Sequence, residues 1–139
     1  MSLFGTLSIS GSGMAAESER LSAIASNIAN ANSAVGAGGQ PYRAREVVFQ
    51  AASLGGDNDD PATLGMNGVK VAAVVESAAP THQVYDPGNS FADDNGYVQM
   101  PNVNPVDEMV NMISAQQDYQ ANLEAFNVAK TLALRTLTI

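Results

Sequence analysis

The chain has 139 residues, a length that suits a single domain with a modest hydrophobic core. Its net charge is −8 and its basic residues are scattered from Arg20 to Arg135, which disfavours nucleic acid and anionic membrane surfaces as partners. It contains no cysteine, which excludes disulfides, thiolate catalysis and zinc–thiolate sites. Charged residues make up only 14% of the chain. This leaves two explanations open, a surface largely covered by other protein or an uncharged polar exterior.

Residues 3–32 have the hydrophobic period of a helix, and Leu21, Ile24 and Ile28 belong to its apolar face. Gly11 and Gly13 each weaken a helix by about 1 kcal/mol relative to alanine, so the first dozen residues are expected to be disordered or ordered by a partner. Spacings of three and four residues place a longer set on one narrow stripe, the geometry by which two helices interlock. That stripe is Phe4, Leu7, Gly11, Met14, Ser18, Leu21, Ala25 and Ile28.

From Pro41 to Pro101 the period changes to two, and residues 36–39 form a glycine-rich link before it. Asn67-Gly68 and Asn95-Gly96 are typical of hairpin turns, the first of type I′. The segment predicts a small antiparallel β module of three to five strands, with a charged loop at 55–61. The strand segments are 45–51, 69–76, 84–85 and 97–100.

A second long helix is predicted from 102 to 139. Asn104 is a suitable cap, Pro105 suits the first turn, and Asp107 and Glu108 lie near the positive end of the helix dipole. No glycine or proline follows Pro105. The helix would reach about 50 Å, whereas a compact domain of this size is about 30 Å across, so it is expected to protrude.

This helix has a matching stripe with the same alternating spacing. Gln116 and Lys130 interrupt it, and two interpretations remain open: polar residues that fix register between helices, or a local rotation that turns them to solvent. The stripe is Met109, Met112, Gln116, Tyr119, Leu123, Phe126, Lys130, Ala133 and Leu137.

The sequence contains no complete pattern of catalytic, cofactor-binding or metal-ligating residues. Gly11, Gly13 and Ala16 have dinucleotide-like spacing but lack the flanking strands and the acidic residue, so small residues that allow close helix contact or flexibility are the better interpretation. The acidic run at 57–60 and the loop from 86 lack the remaining ligands of a calcium loop. His82 is the only histidine, and a triad with its neighbours has no nucleophile elbow. The chain is therefore predicted not to be an enzyme.

The sequence also predicts neither a membrane span nor a secretory signal. The longest apolar run, Val71–Val75, is far shorter than the ~20 residues needed to cross a bilayer. The first basic residue is Arg20, and small polar residues interrupt the N-terminal segment. Composition by itself therefore indicates a cytoplasmic protein.

The run from Leu21 to Asn32 resembles the N-terminal signature of bacterial flagellar axial proteins, the rod and hook group. Segments in the same order along nearly the whole chain resemble the FlgC type of proximal-rod protein. They are 39–44, 47–50, 85–89, 95–98, 100–103, 108–110 and 119–122. The departure from the family pattern is the acidic stretch 55–64, which affects the shape of an outer loop.

The resemblance implies a structural subunit of the flagellar basal-body rod, exported unfolded through the flagellar type III apparatus without a cleavable signal and located in the periplasmic rod. It implies that the two terminal helices pair and form the inner layer of a helical tube, with the β module outside. The implied partners are copies of the chain, other rod proteins, the export gate and the membrane-ring base. Neither nucleic acid nor a cofactor is implied.

Residues and resemblance together predict an α+β chain with an N-terminal helix region at 1–35, a β-rich middle at 36–102 and a C-terminal helix region at 103–139. Asn27, Asn30, Gln120 and Asn122 are expected to form hydrogen bonds between helices, since a buried amide needs a partner. The alternative is a monomeric α+β protein-binding module. The predicted assembly interface is Leu7, Met14, Leu21, Ala25, Asn27, Ile28, Asn30, Met109, Met112, Gln116, Tyr119, Gln120, Asn122, Leu123, Phe126 and Leu137.

Overall fold

The computed structural model describes residues 3–35, 39–54 and 66–137. Two long helices flank two small antiparallel sheets, which confirms the predicted α+β class. The elements are α1 (Leu3–Asn30), β1 (Arg45–Ser53), β2 (Asn67–Glu76), β3 (His82–Tyr85), β4 (Tyr97–Met100) and α2 (Pro105–Leu137).

Helix α1 is continuous over 28 residues, with Gly11 and Gly13 inside it. We expected the first dozen residues to be disordered or ordered by a partner. In the structure, the described residues of this segment are helical from Leu3 onward. Packing overrides the low helix propensity here, because Ser10 and Ala16 are buried. The helix ends at Asn30, whose side-chain amide donates to the Ser26 carbonyl at 2.9 Å.

Helix α2 begins as predicted. The Asn104 side-chain oxygen accepts from the Val106 amide at 3.0 Å, and the Asn104 backbone carbonyl accepts from the Glu108 amide at 3.0 Å. The Asn104 side-chain amide also donates to the Asp107 carboxylate at 2.8 Å. This cap satisfies donors that the first turn leaves free, and Pro105 follows it where a missing N–H costs nothing.

Strands β1 and β2 pair along their length and run antiparallel. The Leu54 amide donates to the Met66 carbonyl at 3.0 Å, and the Ser77 amide donates to the Ala44 carbonyl at 2.7 Å. The predicted turn at Asn67-Gly68 is wrong, because both residues lie in β2. Gly68 serves close packing instead: a Cβ there would lie 2.5 Å from the Ser12 hydroxyl. The acidic stretch 55–64 lies outside the described residues.

Strands β3 and β4 form a hairpin in which Val84 pairs with Val98 and Tyr85 with Tyr97. The predicted turn at Asn95-Gly96 is present as the end of a four-residue turn, closed by a 2.9 Å hydrogen bond from the Gly96 amide to the Asp93 carbonyl. Gly96 has φ +80°, the left-handed region that side chains disfavour.

The chain divides into two compact units. The first comprises residues 1–21, 47–73 and 113–139, and the second comprises 22–46 and 74–112. In the second unit Ala31, Ala44 and Val103 form a buried cluster against which Tyr42 packs. Neither helix of the described chain contains an apolar stretch long enough to span a bilayer. The three-part domain division stays a prediction.

Gly96→Ala should lower the free energy of unfolding by about 1–3 kcal/mol, because alanine is strained at this φ. Its Cβ would also lie 2.9 Å from the Tyr85 ring. Urea denaturation followed by circular dichroism measures the change. Gly88→Ala is the matched control, since its Cβ would meet only the Asp86 carboxylate at 3.7 Å. Equal losses in both variants would contradict the strain argument.

Candidate assembly interface

In the first unit, α1 and α2 approach each other through small and polar residues. A Cβ on Gly13 would lie 2.9 Å from the Asn122 side-chain oxygen, so this side chain rests against the bare backbone of α1. Ala115 and Ala129 are buried on α2, seven residues to either side of Asn122. A seven-residue repeat keeps one face of a helix toward its partner. Small residues on that face permit close contact.

A three-residue charge cluster lies beside this contact. The Arg20 guanidinium lies 3.4 Å from the Glu17 carboxylate of its own helix and 3.6 Å from the Asp118 carboxylate of α2. Burial raises the pKa of the Glu17 carboxyl and the Asp118 charge adds to the rise, while the charge and hydrogen bond of Arg20 oppose it. One guanidinium thus interacts with two carboxylates, and burial disfavours the charged form of Glu17.

The same unit ties α1 to β2 through a hydroxyl. Ser12 donates to the Ile9 carbonyl at 2.7 Å and accepts from the Val69 amide at 3.1 Å. A strand-end amide that would otherwise face solvent therefore has a partner on the helix.

In the second unit, Asn27 joins three parts of the chain and is only 1% exposed. Its amide group donates to the Arg45 carbonyl at 2.9 Å and to the Glu108 carboxylate at 3.0 Å. Its oxygen accepts from the Arg45 amide at 2.8 Å and from the Tyr42 hydroxyl at 2.9 Å. All four hydrogen-bonding positions of the side chain are used. Asn27 thereby connects α1, the start of β1 and the first turn of α2.

Asn102 has a similar role just before α2. Its side-chain oxygen accepts from the Ala44 amide at 2.8 Å, and its amide group donates to the Ala79 carbonyl at 2.9 Å. It therefore links the chain before β1 to the segment between β2 and β3. The sequence predicted Asn102 as the boundary between the β-rich region and the second helix, with no linking role. An Asn-Val-Asn run between Pro101 and Pro105 is ambiguous by itself, because its partners are distant in sequence.

The stripe predicted on α2 is half correct as a description of burial within the chain. Met112, Tyr119, Phe126 and Ala133 are half-buried, whereas the alternate members are exposed; these are Met109, Gln116, Leu123 and Lys130. The residues that replace them on the inward face lie one position earlier. They are Glu108, Ala115, Asn122 and Ala129. Gln116 and Lys130 are exposed, which agrees with the solvent-facing interpretation for the single chain.

On α1 the buried residues also lie beside the predicted stripe and not on it. Leu7, Met14, Leu21 and Ile28 are half-buried, and Ala25 is exposed. The buried positions are richer in small and polar side chains than the predicted stripe, so the hydrophobic spacing identified only Ile24 among them. They are Gly5, Ser10, Ala16, Glu17, Ala23, Ile24 and Asn27.

The four predicted amides behave differently from one another. Asn27 does join the two helices, through Glu108. Asn122 donates to the Asp118 carbonyl of its own helix at 3.0 Å, and Asn30 bonds locally, so neither bond crosses between helices. Gln120 is exposed. The side chain of Leu137 lies outside the described residues.

Large apolar side chains point outward on α2 in both units. In the second unit Val106, Met109 and Val110 are each more than half exposed, at 66%, 54% and 61%. In the first unit Leu123 is 40% exposed, and further exposed residues follow it: Val128, Leu132 and Leu134. An open, mostly apolar groove of about 330 Å³ lies between the two helices of this unit. Its lining residues are Leu3, Thr6, Ala125, Val128, Ala129 and Leu132.

Nothing in the described geometry supplies catalytic chemistry. His82 is exposed on β3, and Ser77 is engaged through its amide with Ala44 and through its hydroxyl with Ala79. Among the described residues, no three acidic or histidine side chains are grouped so that they could hold a metal ion.

The described chain has two long terminal helices, two small antiparallel sheets between them in chain order, and large exposed apolar side chains on α2. The family model described as "Flagella basal body rod protein" matches residues 7–37. The model described as "Flagellar basal body rod FlgEFG protein C-terminal" matches residues 94–139. The class is therefore that of flagellar rod subunits, which are structural proteins and not enzymes.

Comparison over the full length gives the particular family. The chain is 52% identical to the flagellar basal-body rod protein FlgC of Salmonella typhimurium, over 100% of this chain and 98% of that protein. It is 49% identical to FlgC of Yersinia enterocolitica over the same shares, and 39% identical to FlgC of Aquifex aeolicus over 98% and 96%. The chain belongs to the FlgC family of flagellar basal-body rod proteins.

Asn27→Ala should lower the free energy of unfolding by about 2–3 kcal/mol, because it leaves several buried polar groups without a partner. Urea denaturation of the full chain measures the loss. Asn30→Ala is the control, with an expected loss of about 1 kcal/mol or less, since its hydrogen bonds are local. If the two variants lose the same stability, Asn27 does not have the linking role assigned to it.

Glu17→Gln should be relatively more stable at neutral pH than at acidic pH, compared with the unsubstituted chain. The folded chain holds the Glu17 proton more tightly than the unfolded chain, because the pKa is raised from 4.5. The associated stabilisation is therefore present below pH 4.5 and is lost as pH rises through the folded value. Denaturation at a series of pH values, with the exposed Glu19→Gln as control, measures this. An advantage of Glu17→Gln that does not change with pH would contradict it.

Proposed function

We propose that this rod subunit assembles with copies of itself and with other rod proteins through its two terminal helices, forming a helical tube that supports motility. The observation that carries the proposal is that the residues buried within the chain differ from the predicted apolar stripes of the helices. Contacts within each unit use the small and polar stripe and leave larger apolar side chains outward, including Met109 and Leu123. A soluble monomer gains nothing from such a face, whereas a neighbouring subunit can cover it.

The energy scale supports repeated assembly. Full burial of one large aliphatic side chain contributes roughly 1.5–3 kcal/mol. Several such residues per helix, repeated in every subunit, would give a stiff tube even if each contact is shallow. The half-buried residues Met112, Tyr119 and Phe126 flank the internal contact. They can therefore pack within the chain on one side and against a neighbour on the other.

Under this proposal, the three predicted regions of the chain have different positions in the tube. Regions 1–35 and 103–139 form the inner helical layer, and region 36–102 lies outside it. The predicted interface residues contribute through the helices, with the exposed Gln116 and Gln120 available for hydrogen bonds to a neighbour. Asn27 contributes indirectly, since its own bonding capacity is already used within the chain.

We also propose export of the unfolded chain through the flagellar type III apparatus without a cleavable signal, followed by assembly in the periplasmic part of the rod. The export gate and the membrane-ring base are the proposed neighbours at the start of assembly. Family membership supports this route, and the absence of cysteine suits it, because an unfolded chain with no thiol forms no wrong disulfides in an oxidising space.

Leu123→Ala and Tyr119→Ala should reduce incorporation into basal bodies by about tenfold or more while export continues, because each loses about 1.4 kcal/mol or more at every repeated contact. Immunoblots of isolated basal bodies and of the exported fraction, with a swimming assay, measure the two steps. Glu124→Ala is the control, since it shortens an exposed polar side chain next to Leu123. Normal incorporation of the Leu123 and Tyr119 variants would refute the proposed interface.

Sedimentation of the purified chain at rising concentration separates assembly from the alternative of a monomeric binding module. Self-association that weakens in Leu123→Ala supports the proposal. A single species at all concentrations, combined with unaffected basal bodies in the variant, favours the module.

A further inference from the structure

The β3–β4 hairpin carries two tyrosine rings on one face. Tyr85 lies directly opposite Tyr97 in the antiparallel register. Tyr85 is 64% exposed and Tyr97 is 43% exposed. Their ring centroids are 5.3 Å apart with an interplanar angle of 63°, the edge-to-face geometry of a favourable aromatic pair. The opposite face of the hairpin includes the buried Val98. The tyrosine face is therefore the outward one.

The rings are held in place by the turn beside them. A Cβ on Gly96 would lie 2.9 Å from the Tyr85 ring and 3.2 Å from the Pro87 side chain, so the ring packs over glycine backbone next to proline. The Asp93 carboxylate accepts from the Asn95 and Tyr97 amides at 2.9 and 2.8 Å, which fixes the turn. We call the surface of Tyr85, Tyr97 and Pro87 the tyrosine ledge. Because it is preorganised, a partner would lose little conformational entropy of the ledge on binding.

The hairpin loop next to the ledge is anionic. No lysine or arginine occurs between Lys70 and Lys130. Asp86 and Asp94, in the loop that joins β3 to β4, are exposed. The Asp86 carboxylate has one contact in the loop, a 3.4 Å hydrogen bond from the Asn89 amide group, which leaves acceptor positions open. Exposed aromatic rings and exposed carboxylates on the same hairpin can each attract a cation, by two independent interactions.

We infer that the tyrosine ledge docks a partner protein segment that presents an arginine or lysine side chain. The cation would lie over a ring face while Asp86 or Asp94 accepts its hydrogen bonds. The chain uses the same interaction internally, where the Arg45 guanidinium lies 5.8 Å from the centre of the Tyr42 ring. A second copy of the chain is a poor occupant of a site that selects a cation, because it has six basic residues against fourteen acidic ones; the proposed contacts between copies are apolar ones along the helices. The partner is therefore a different and more basic protein.

This inference does not depend on assembly through the helices, and the experiment keeps the two apart. The full chain is labelled with 3-fluorotyrosine, which gives a fluorine NMR resonance for each of its four tyrosines. The resonances are assigned with single Tyr→Phe variants, and triarginine peptide is the probe. We expect saturable shifts at Tyr85 and Tyr97 and none at Tyr42 or Tyr119. Equal shifts at all four resonances, or no shift at any, would overturn the inference.

Matched variants sharpen the test. Tyr85→Ala should weaken triarginine binding by about fivefold or more, and Asp86→Asn with Asp94→Asn by about threefold or more. Val84→Ala is the control, since Val84 is similarly exposed but lies on the other face of the same strand. An effect of Val84→Ala as large as that of Tyr85→Ala would count against a specific ledge.

Two further probes decide the class of partner. Triglutamate should produce no shift, and a neutral chitin trisaccharide should produce none. Shifts with the trisaccharide but not with triarginine would replace the basic protein with a glycan and overturn the inference. Leu123→Ala should bind triarginine like the unsubstituted chain, so failure of the ledge and failure of helix-driven assembly give different results.

Discussion

Close contact between small residues is the constraint on which the helical part of the structure depends. In the first unit the Asn122 side chain rests against the glycine backbone at Gly13, and buried Ala115 and Ala129 continue the contact along α2. Helices that meet through glycine, alanine and serine lie near each other without needing large side chains between them. The large apolar residues are thereby left for other uses. If leucine and phenylalanine formed the interior, as is usual, they would not be available for the contacts with neighbouring subunits that we propose.

Buried amides perform the linking that a large hydrophobic core performs elsewhere. The buried apolar cluster of the second unit is small, with Ala31, Ala44 and Val103 as members. Asn27 compensates by using all its donors and acceptors on β1, α2 and Tyr42. Directional bonds of this kind specify one arrangement more sharply than apolar contact does, since each misplacement leaves a polar group unsatisfied. In the repeating assembly that we propose, the geometry of each subunit would matter as much as its stability.

The charge distribution separates two kinds of surface. We propose that the exposed apolar side chains of α2 contact other rod subunits. The tyrosine ledge, with exposed Asp86 and Asp94 near it, suits a basic partner instead. Between the helices of the first unit, Arg20 balances Glu17 and Asp118 with one cation for two carboxylates. On the inference of a basic partner, the charges of the hairpin loop act on the choice of that partner and not on the contact between the helices.

The sequence by itself determined the α+β class, both long helices, the cap at Asn104, the Asn95-Gly96 turn and the family. Periodicity, caps and left-handed glycines are local signals, so they can be seen without tertiary information. Tertiary structure decided which helix face turns inward. The hydrophobic pattern predicted a stripe one position away from Ala115 and Asn122. Such a pattern depends on the size and polarity of side chains and contains no information on how closely two backbones approach. Tertiary structure also decided that Gly68 lies in a strand and that Asn102 links distant segments, since both depend on neighbours far away in the chain.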